Sequence, residues 1–211
     1  MERAIARVAE AFAGMTAHPD EAGCGRCYSA EEIALLRTAH VALPADLVCM
    51  VAEEVPGHWD DHPSVIRRVL PQVAVLLAQG ATSPDLMARG LAAARWTQWP
   101  DQQVQALRGF LEAWWLGTLE QDSPPTSARE VFESCVTATS SVTPWLAWWD
   151  AGLGPVASRH LEECADWWWD DLQNDVSPFA WWWGTEAQER AACAELRTWL
   201  AARVPFEDDA R

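Results

Sequence analysis

Apolar residues recur at helical spacing along nearly the whole chain. Ile5, Val8, Ala9, Phe12 and Met15 form one stripe. Val65, Ile66, Val69, Leu70, Val73, Leu76 and Leu77 form a second, and Val104, Leu107, Leu111, Trp114 and Trp115 a third. Helix starts are marked as clearly as the faces. Ser29-Ala-Glu-Glu32, Ser127-Ala-Arg-Glu130 and Thr185-Glu-Ala-Gln188 fit the capping box, in which two side chains satisfy orphan backbone donors reciprocally. Ser83-Pro84, Thr143-Pro144 and Ser177-Pro178 set a capping residue before a proline at the first helical position. β-Branched density appears only in CVTATSSVT, residues 135–143, which begins inside a helical stripe.

These signals predict an all-α protein, a compact array of about ten short-to-medium helices with some resemblance to stacked helix pairs. Helices are expected near 2–16, 30–39, 45–55, 63–79, 84–95, 101–119, 127–139, 144–151, 156–173, 178–183 and 186–204. Pro71 should kink or interrupt the fourth. Residues 1–211 read as one domain, with QDSPPTS at 121–127 as the sub-boundary. A compact fold of this length buries about 70% of the surface its unfolded chain exposes, enough for a core without disulfides or metals.

Tryptophan changes the picture next. WWWDDLQNDVSPFAWWWG, residues 167–184, places two Trp triplets on either side of an acidic turn. Three consecutive residues fan across roughly 200° of a helix, so a triplet cannot form one narrow stripe. His160, Cys164 and Trp168 fall close to one line. Trp168 should therefore point inward, with Trp167 and Trp169 on its flanks. Large aromatics usually fill cores, and core packing is the first expectation for most of the 15 tryptophans.

Charge narrows the partners. The formal net charge is -16, and all 15 basic residues are Arg. Residues 1–119 hold 14 acidic and 9 basic side chains (-5), and residues 120–211 hold 17 and 6 (-11). No basic stripe exists to neutralise phosphates, so nucleic acid is not an expected partner. No apolar run approaches the ~18 residues of a membrane span, and MERAIARVAEAFAGM has no uninterrupted apolar segment of the signal-peptide kind. A cytoplasmic location is expected, with Cys135, Cys164 and Cys193 as buried thiols on apolar stripes. If the protein is a binding module, its face should come from the acidic C-terminal half. There Glu163, Asp166 and Asp170 recur at helical spacing among Trp167, Trp169 and Trp181. Carboxylates flanking aromatic rings suit a protein partner with a basic, Arg-rich surface.

The most chemical stretch is His18-Pro-Asp-Glu-Ala-Gly-Cys24-Gly-Arg-Cys27. Cys-x₂-Cys on a Gly-containing turn can direct two thiolates at one Zn²⁺, whose tetrahedral preference needs two more ligands. His58 and His62 complete C-x₂-C…H-x₃-H, at a gap of 30 residues, about double the usual finger spacing. His18 and His40 are substitutes for either histidine. A plain structural turn and a Cys-x-x-Cys redox pair are the competing readings. Pro63 also starts a helix near Asp61, so His58 and His62 need not share a face. His58-Trp-Asp60-Asp61-His62 alternatively suggests a metal-dependent enzyme, and Asp170-Asp171-x₃-Asp175 is reminiscent of the Asp-rich motifs of class I terpene synthases. The second motif of that family is absent. A small-molecule binder with a Trp-lined pocket is a further alternative. The leading expectation is a binding protein without catalytic residues; for its Cys-x₂-Cys loop a plain structural turn comes first, with a small structural zinc site as the chemical alternative.

Cys24-x-x-Cys27-Tyr28, Val55-Pro-Gly-His58-Trp-Asp-Asp61, Arg67-Arg-x-Leu-Pro71 and Pro144-Trp-Leu146 together resemble uncharacterised all-helical proteins of GC-rich actinobacteria. The resemblance supports a helical fold and implies no catalytic residue.

Overall fold

The computed structural model describes residues 1–152, 154–179 and 182–203. Among them are ten α-helices and no strand: α1 (Glu2–Ala11), α2 (Ala30–Arg37), α3 (Ala45–Glu53), α4 (His62–Gln79), α5 (Pro84–Ala93), α6 (Asp101–Leu119), α7 (Ala128–Thr139), α8 (Thr143–Asp150), α9 (Pro155–Gln173) and α10 (Glu186–Ala201). Two 3-10 turns, Pro56–His58 and Trp96–Gln98, link α3 to α4 and α5 to α6. All three expected capping boxes form, at Ser29, Ser127 and Thr185. At each, the hydroxyl accepts from the backbone N–H three residues on, while that residue's side chain accepts from the cap N–H. No described helix is long and apolar enough to cross a membrane.

One hydrophobic core runs through the molecule. α1 lies against α4 and α6, α3 against α4 and α5, and α5 packs extensively on α7; α9 then joins α7 to α8 and α10. The elements on both sides of 121–127 meet directly, since α6 contacts α7 and α9. The close approach of this connection to the core explains Gly80. It ends α4 at φ +67, and a Cβ there would stand 2.7 Å from the Pro125 carbonyl oxygen.

Trp59, Trp96, Trp99, Trp114, Trp115, Trp145, Trp149 and Trp168 are buried. Most of the described tryptophans are therefore core. Trp168 is fully enclosed, its ring 4.7 Å from Phe132 and 5.9 Å from Trp149, and Trp149 stands edge-on to Trp115 at 4.8 Å. Such offset and edge-to-face pairs add to burial alone.

One local expectation is narrowed and another corrected. α4 runs through Pro71 without interruption. Proline forgoes one intrahelical hydrogen bond there, while nine residues of α4 are buried and hold the helix in place. No helix forms at 178–183 among the described residues: Ser177 caps the Phe179 N–H at 3.1 Å, but Pro178, Phe179, Trp182 and Trp183 follow an irregular path. A helix of under two turns has little propagation to offset its nucleation, so the side chains decide the path. Phe179 is buried and Trp183 is exposed.

Candidate metal centre

The chain between α1 and α2 crosses the face of the bundle where α3 gives way to α4. Within it, the Cys27 and Tyr28 N–H groups donate to the Cys24 carbonyl at 2.9 and 3.0 Å, which closes a tight turn and aims both thiols one way. Tyr28 anchors the turn. Its ring packs on Trp59 at 4.4 Å and its hydroxyl donates to the Met50 carbonyl on α3 at 3.3 Å. Gly23 begins the turn at φ +62, a conformation L side chains avoid, and an added Cβ would come within 2.6 Å of Ile33.

Glu21 joins this loop to the segment carrying His58. Although its carboxylate is almost wholly buried, it accepts from the N–H groups of Gly23 (2.9 Å), Asp60 (3.0 Å) and Asp61 (2.7 Å). A buried carboxylate costs heavily unless hydrogen-bonded, and three backbone donors satisfy this one. The Arg37 guanidinium donates to the Glu21 carbonyl as well. Glu21 is the organising residue that sequence patterns miss. Two of its three backbone donors lie 39 and 40 residues away, and no period or spacing marks it.

The outcome is a cluster. The ligand atoms of Cys24, Cys27 and His58 all lie within 4.8 Å of one another, and no other such group occurs among the described residues. The Cys27 sulfur is 3.5 Å from His58 Nδ1. Glu54, four residues before His58 at the end of α3, brings a carboxylate oxygen to 3.0 Å from the same nitrogen. The two thiols differ electrostatically. N–H groups of Arg26 and Cys27, together with the Cys27 thiol, donate to Cys24 and lower its pKa. The Cys24 sulfur in turn pushes Cys27 up, with burial and Glu54 adding to the effect. A cation placed between the sulfurs would favour the thiolate form of both.

His62 takes no part. Its Nε2 lies 2.9 Å from the Gly90 carbonyl on α5, its Nδ1 is buried without a partner, and burial lowers its pKa. The reason is helix phase: Asp61 caps α4 by accepting from the Ser64 N–H, so His62 opens the helix on its inward side. His18 is also elsewhere; its Nδ1 accepts from the Asp20 N–H at 3.2 Å. The same geometry disperses His58, Asp60, Asp61 and His62 as an enzymatic quartet. Asp61 is a cap, Asp60 accepts from the Ala22 N–H, and His62 faces α5. As for a Trp-lined pocket, an open hollow beside Trp199 measures about 510 Å³, and the one beside Trp96, Trp145 and Trp148 about 200 Å³. Only the second is below the ~300 Å³ at which ordinary ligand sites begin.

At the C-terminal face, Glu163, Asp166 and Asp170 are exposed along α9, and Trp167 is 62% exposed beside them. Trp169 is half-buried against the core, and Trp181 lies outside the described residues. The Arg129 guanidinium already covers Trp167, 5.2 Å from the ring centre. Of the thiols expected inside, Cys135 and Cys164 are buried, whereas Cys193 is half-buried. Comparison with protein-family models, curated proteins and solved structures finds no match to this chain.

Proposed function

We propose that the protein is a non-catalytic, cytoplasmic binding protein whose N-terminal loop is fixed by a structural zinc ion on Cys24, Cys27 and His58. The convergence of those three ligand atoms within 4.8 Å carries the reading. Two sulfurs and an imidazole are a donor set that zinc prefers over hard-cation alternatives. The knuckle-like turn, the bias of Cys24 toward thiolate and the buried Glu21 clamp support the same view, because each aligns a ligand before any ion arrives. The binding role rests on the acidic, Trp-bearing face of α9. Elemental analysis of protein purified without added metal tests the zinc. One equivalent per chain is expected, and less than a tenth of an equivalent after Cys24→Ala with Cys27→Ala, to be read as roughly complete loss on removing both sulfur ligands. Metal-free protein, or zinc retained by the double variant, would rule the reading out.

A further inference from the structure

We infer that Cys24 and Cys27 are an oxidation site: a peroxide joins them in a disulfide, and the pair then releases the zinc it shares with His58. The release rests on the zinc reading above, whereas the disulfide rests on the two sulfurs alone. Together they make the loop regulated, untied by an oxidant and restored by a reductant.

Geometry brings the bond within reach of side-chain rotation. The Cys27 N–H donates to the Cys24 carbonyl at 2.9 Å, the bond between first and fourth residues that closes a β-turn. The Cα atoms at the ends of such a turn are under about 7 Å apart, and a disulfide spans ~4.4–6.8 Å between Cα atoms. The two sulfurs already lie within 4.8 Å of each other. An oxidant can also reach them. Both cysteines are partly exposed, Gly25 and Arg26 between them are exposed, and nothing stands within 4 Å of the position a Gly25 Cβ would take. The remaining thiols have other surroundings. Cys135 and Cys164 are buried, while Cys49 donates to the Ala81 carbonyl at 3.7 Å and Cys193 to the Ser177 hydroxyl at 3.6 Å.

The chemistry balances with peroxide as the only co-reactant. One sulfur attacks it, the O–O bond breaks, hydroxide leaves and a sulfenic acid remains. The second sulfur attacks that sulfur, the S–O bond breaks, hydroxide leaves again and the S–S bond forms. Each hydroxide takes a proton and becomes water, so two electrons pass from the cysteines to the peroxide and the metal keeps its charge. Thiolate is the form that holds zinc, and a disulfide has none, which leaves His58 alone in place of three ligands. The fold outlasts the change. Glu21 ties the loop to the Asp60 and Asp61 N–H groups at 3.0 and 2.7 Å, and Tyr28 packs on Trp59, all without a sulfur. Oxidation is confined to the turn and the tether on His58. In a reducing compartment such a disulfide is transient, which suits a sensor rather than a brace.

Hydrogen peroxide added to the zinc-loaded full chain tests this. Trypsin cuts after Arg26, between the two cysteines, so peptides 8–26 and 27–37 stay joined only through a disulfide. Expected are the joined peptides, an intact mass lower by two hydrogens, and one zinc released per disulfide to a chromogenic chelator. The far-ultraviolet circular dichroism should not change, and dithiothreitol with added zinc should restore separate peptides and bound metal. Cys193→Ser should behave as wild type and Cys27→Ser should give no joined peptides; the wild-type map decides the question even if the second variant folds poorly. Separate peptides in treated wild type, whether the thiols stay intact or go on to sulfinic acids, overturn the oxidation site and leave the zinc reading standing. Joined peptides with zinc retained overturn the release. Protein that holds no zinc before oxidation removes the zinc reading, and the peptide map then decides the disulfide by itself.

Discussion

Glu133 shows how one residue can carry a pH dependence. It lies on α7 beneath α9, where its Oε1 accepts the Trp168 indole N–H at 2.9 Å, and the Arg129 guanidinium is 3.9 Å away. Burial nevertheless dominates and raises its pKa to about 7; the indole and Arg129 oppose the shift, and Asp171 and Glu130 reinforce it. The folded pKa lies above that of an unfolded glutamate. Between about pH 4.5 and 7, the folded chain therefore holds a proton that the unfolded chain has lost. Stability attributable to this group is present below that window, falls as pH rises through it, and levels off above. The loss amounts to roughly 3–4 kcal/mol at ~1.4 kcal/mol per pKa unit. Glu133→Gln keeps a carbonyl oxygen for the indole and carries no charge. Relative to wild type, it should gain stability as pH goes from 5 to 8, read from urea midpoints at both values. Parallel pH profiles for the two proteins would show that Glu133 is not the titrating group.

At the scale of elements, α9 gives the clearest test of how side chains hold the fold. Its inward line of His160, Cys164, Trp168 and Leu172 is buried, and Trp168 meets Phe132 of α7 and Trp149 of α8. Trp168→Ala leaves a large cavity among aromatics that cannot collapse together, and it strands the Glu133 carboxylate. The expected cost is about 3–5 kcal/mol in denaturant unfolding, the usual range for a fully buried aromatic. A shift under about 1 kcal/mol, as for a surface change, would mean that α9 packs in another phase. The line of His160, Cys164 and Trp168 was legible because it follows from a period of 3.6, and Leu172 extends it by one more turn. The three capping boxes were legible too, since the cap and its partner are three residues apart. Legibility ended where contacts between distant segments decide. Cys24, Cys27 and His58 could be listed from spacing, but Glu21 could not, because the loop has to fold over α3 before its carboxylate meets the Asp60 and Asp61 N–H groups. The inclusion of His62 failed for a related reason. The helix start at Asp61 rotates it toward Gly90, and the His-x₃-His pattern alone has no information on that phase.

Across the whole molecule, charge and exposed aromatic surface coincide at one end. Residues 120–211 hold -11 of the net -16, and there α9 presents Glu163, Asp166 and Asp170 around Trp167, 62% exposed. The metal centre belongs to the opposite half of the chain, so the proposed stabilising and binding roles fall on separate segments. Arg129 stacks on Trp167 from within the molecule, and this has a consequence for the partner. One ring face is engaged at 5.2 Å and the surrounding carboxylates remain outside it. A basic partner should then be drawn in by the carboxylates and held by the outer face and edge of the ring. These two contributions are separable. Exposed charges act mainly on encounter, so Glu163→Gln with Asp166→Asn and Asp170→Asn should lower the association rate and flatten its salt dependence. Trp167→Ala removes a desolvated contact worth about 0.5–2 kcal/mol, and should raise the dissociation rate by about 2- to 30-fold with the salt dependence intact. The measurement is surface-plasmon kinetics on a partner captured from the native host, at low and physiological salt. A partner whose rates ignore both sets of changes binds elsewhere, and recovery of no partner would remove the acidic face of α9 as a docking site.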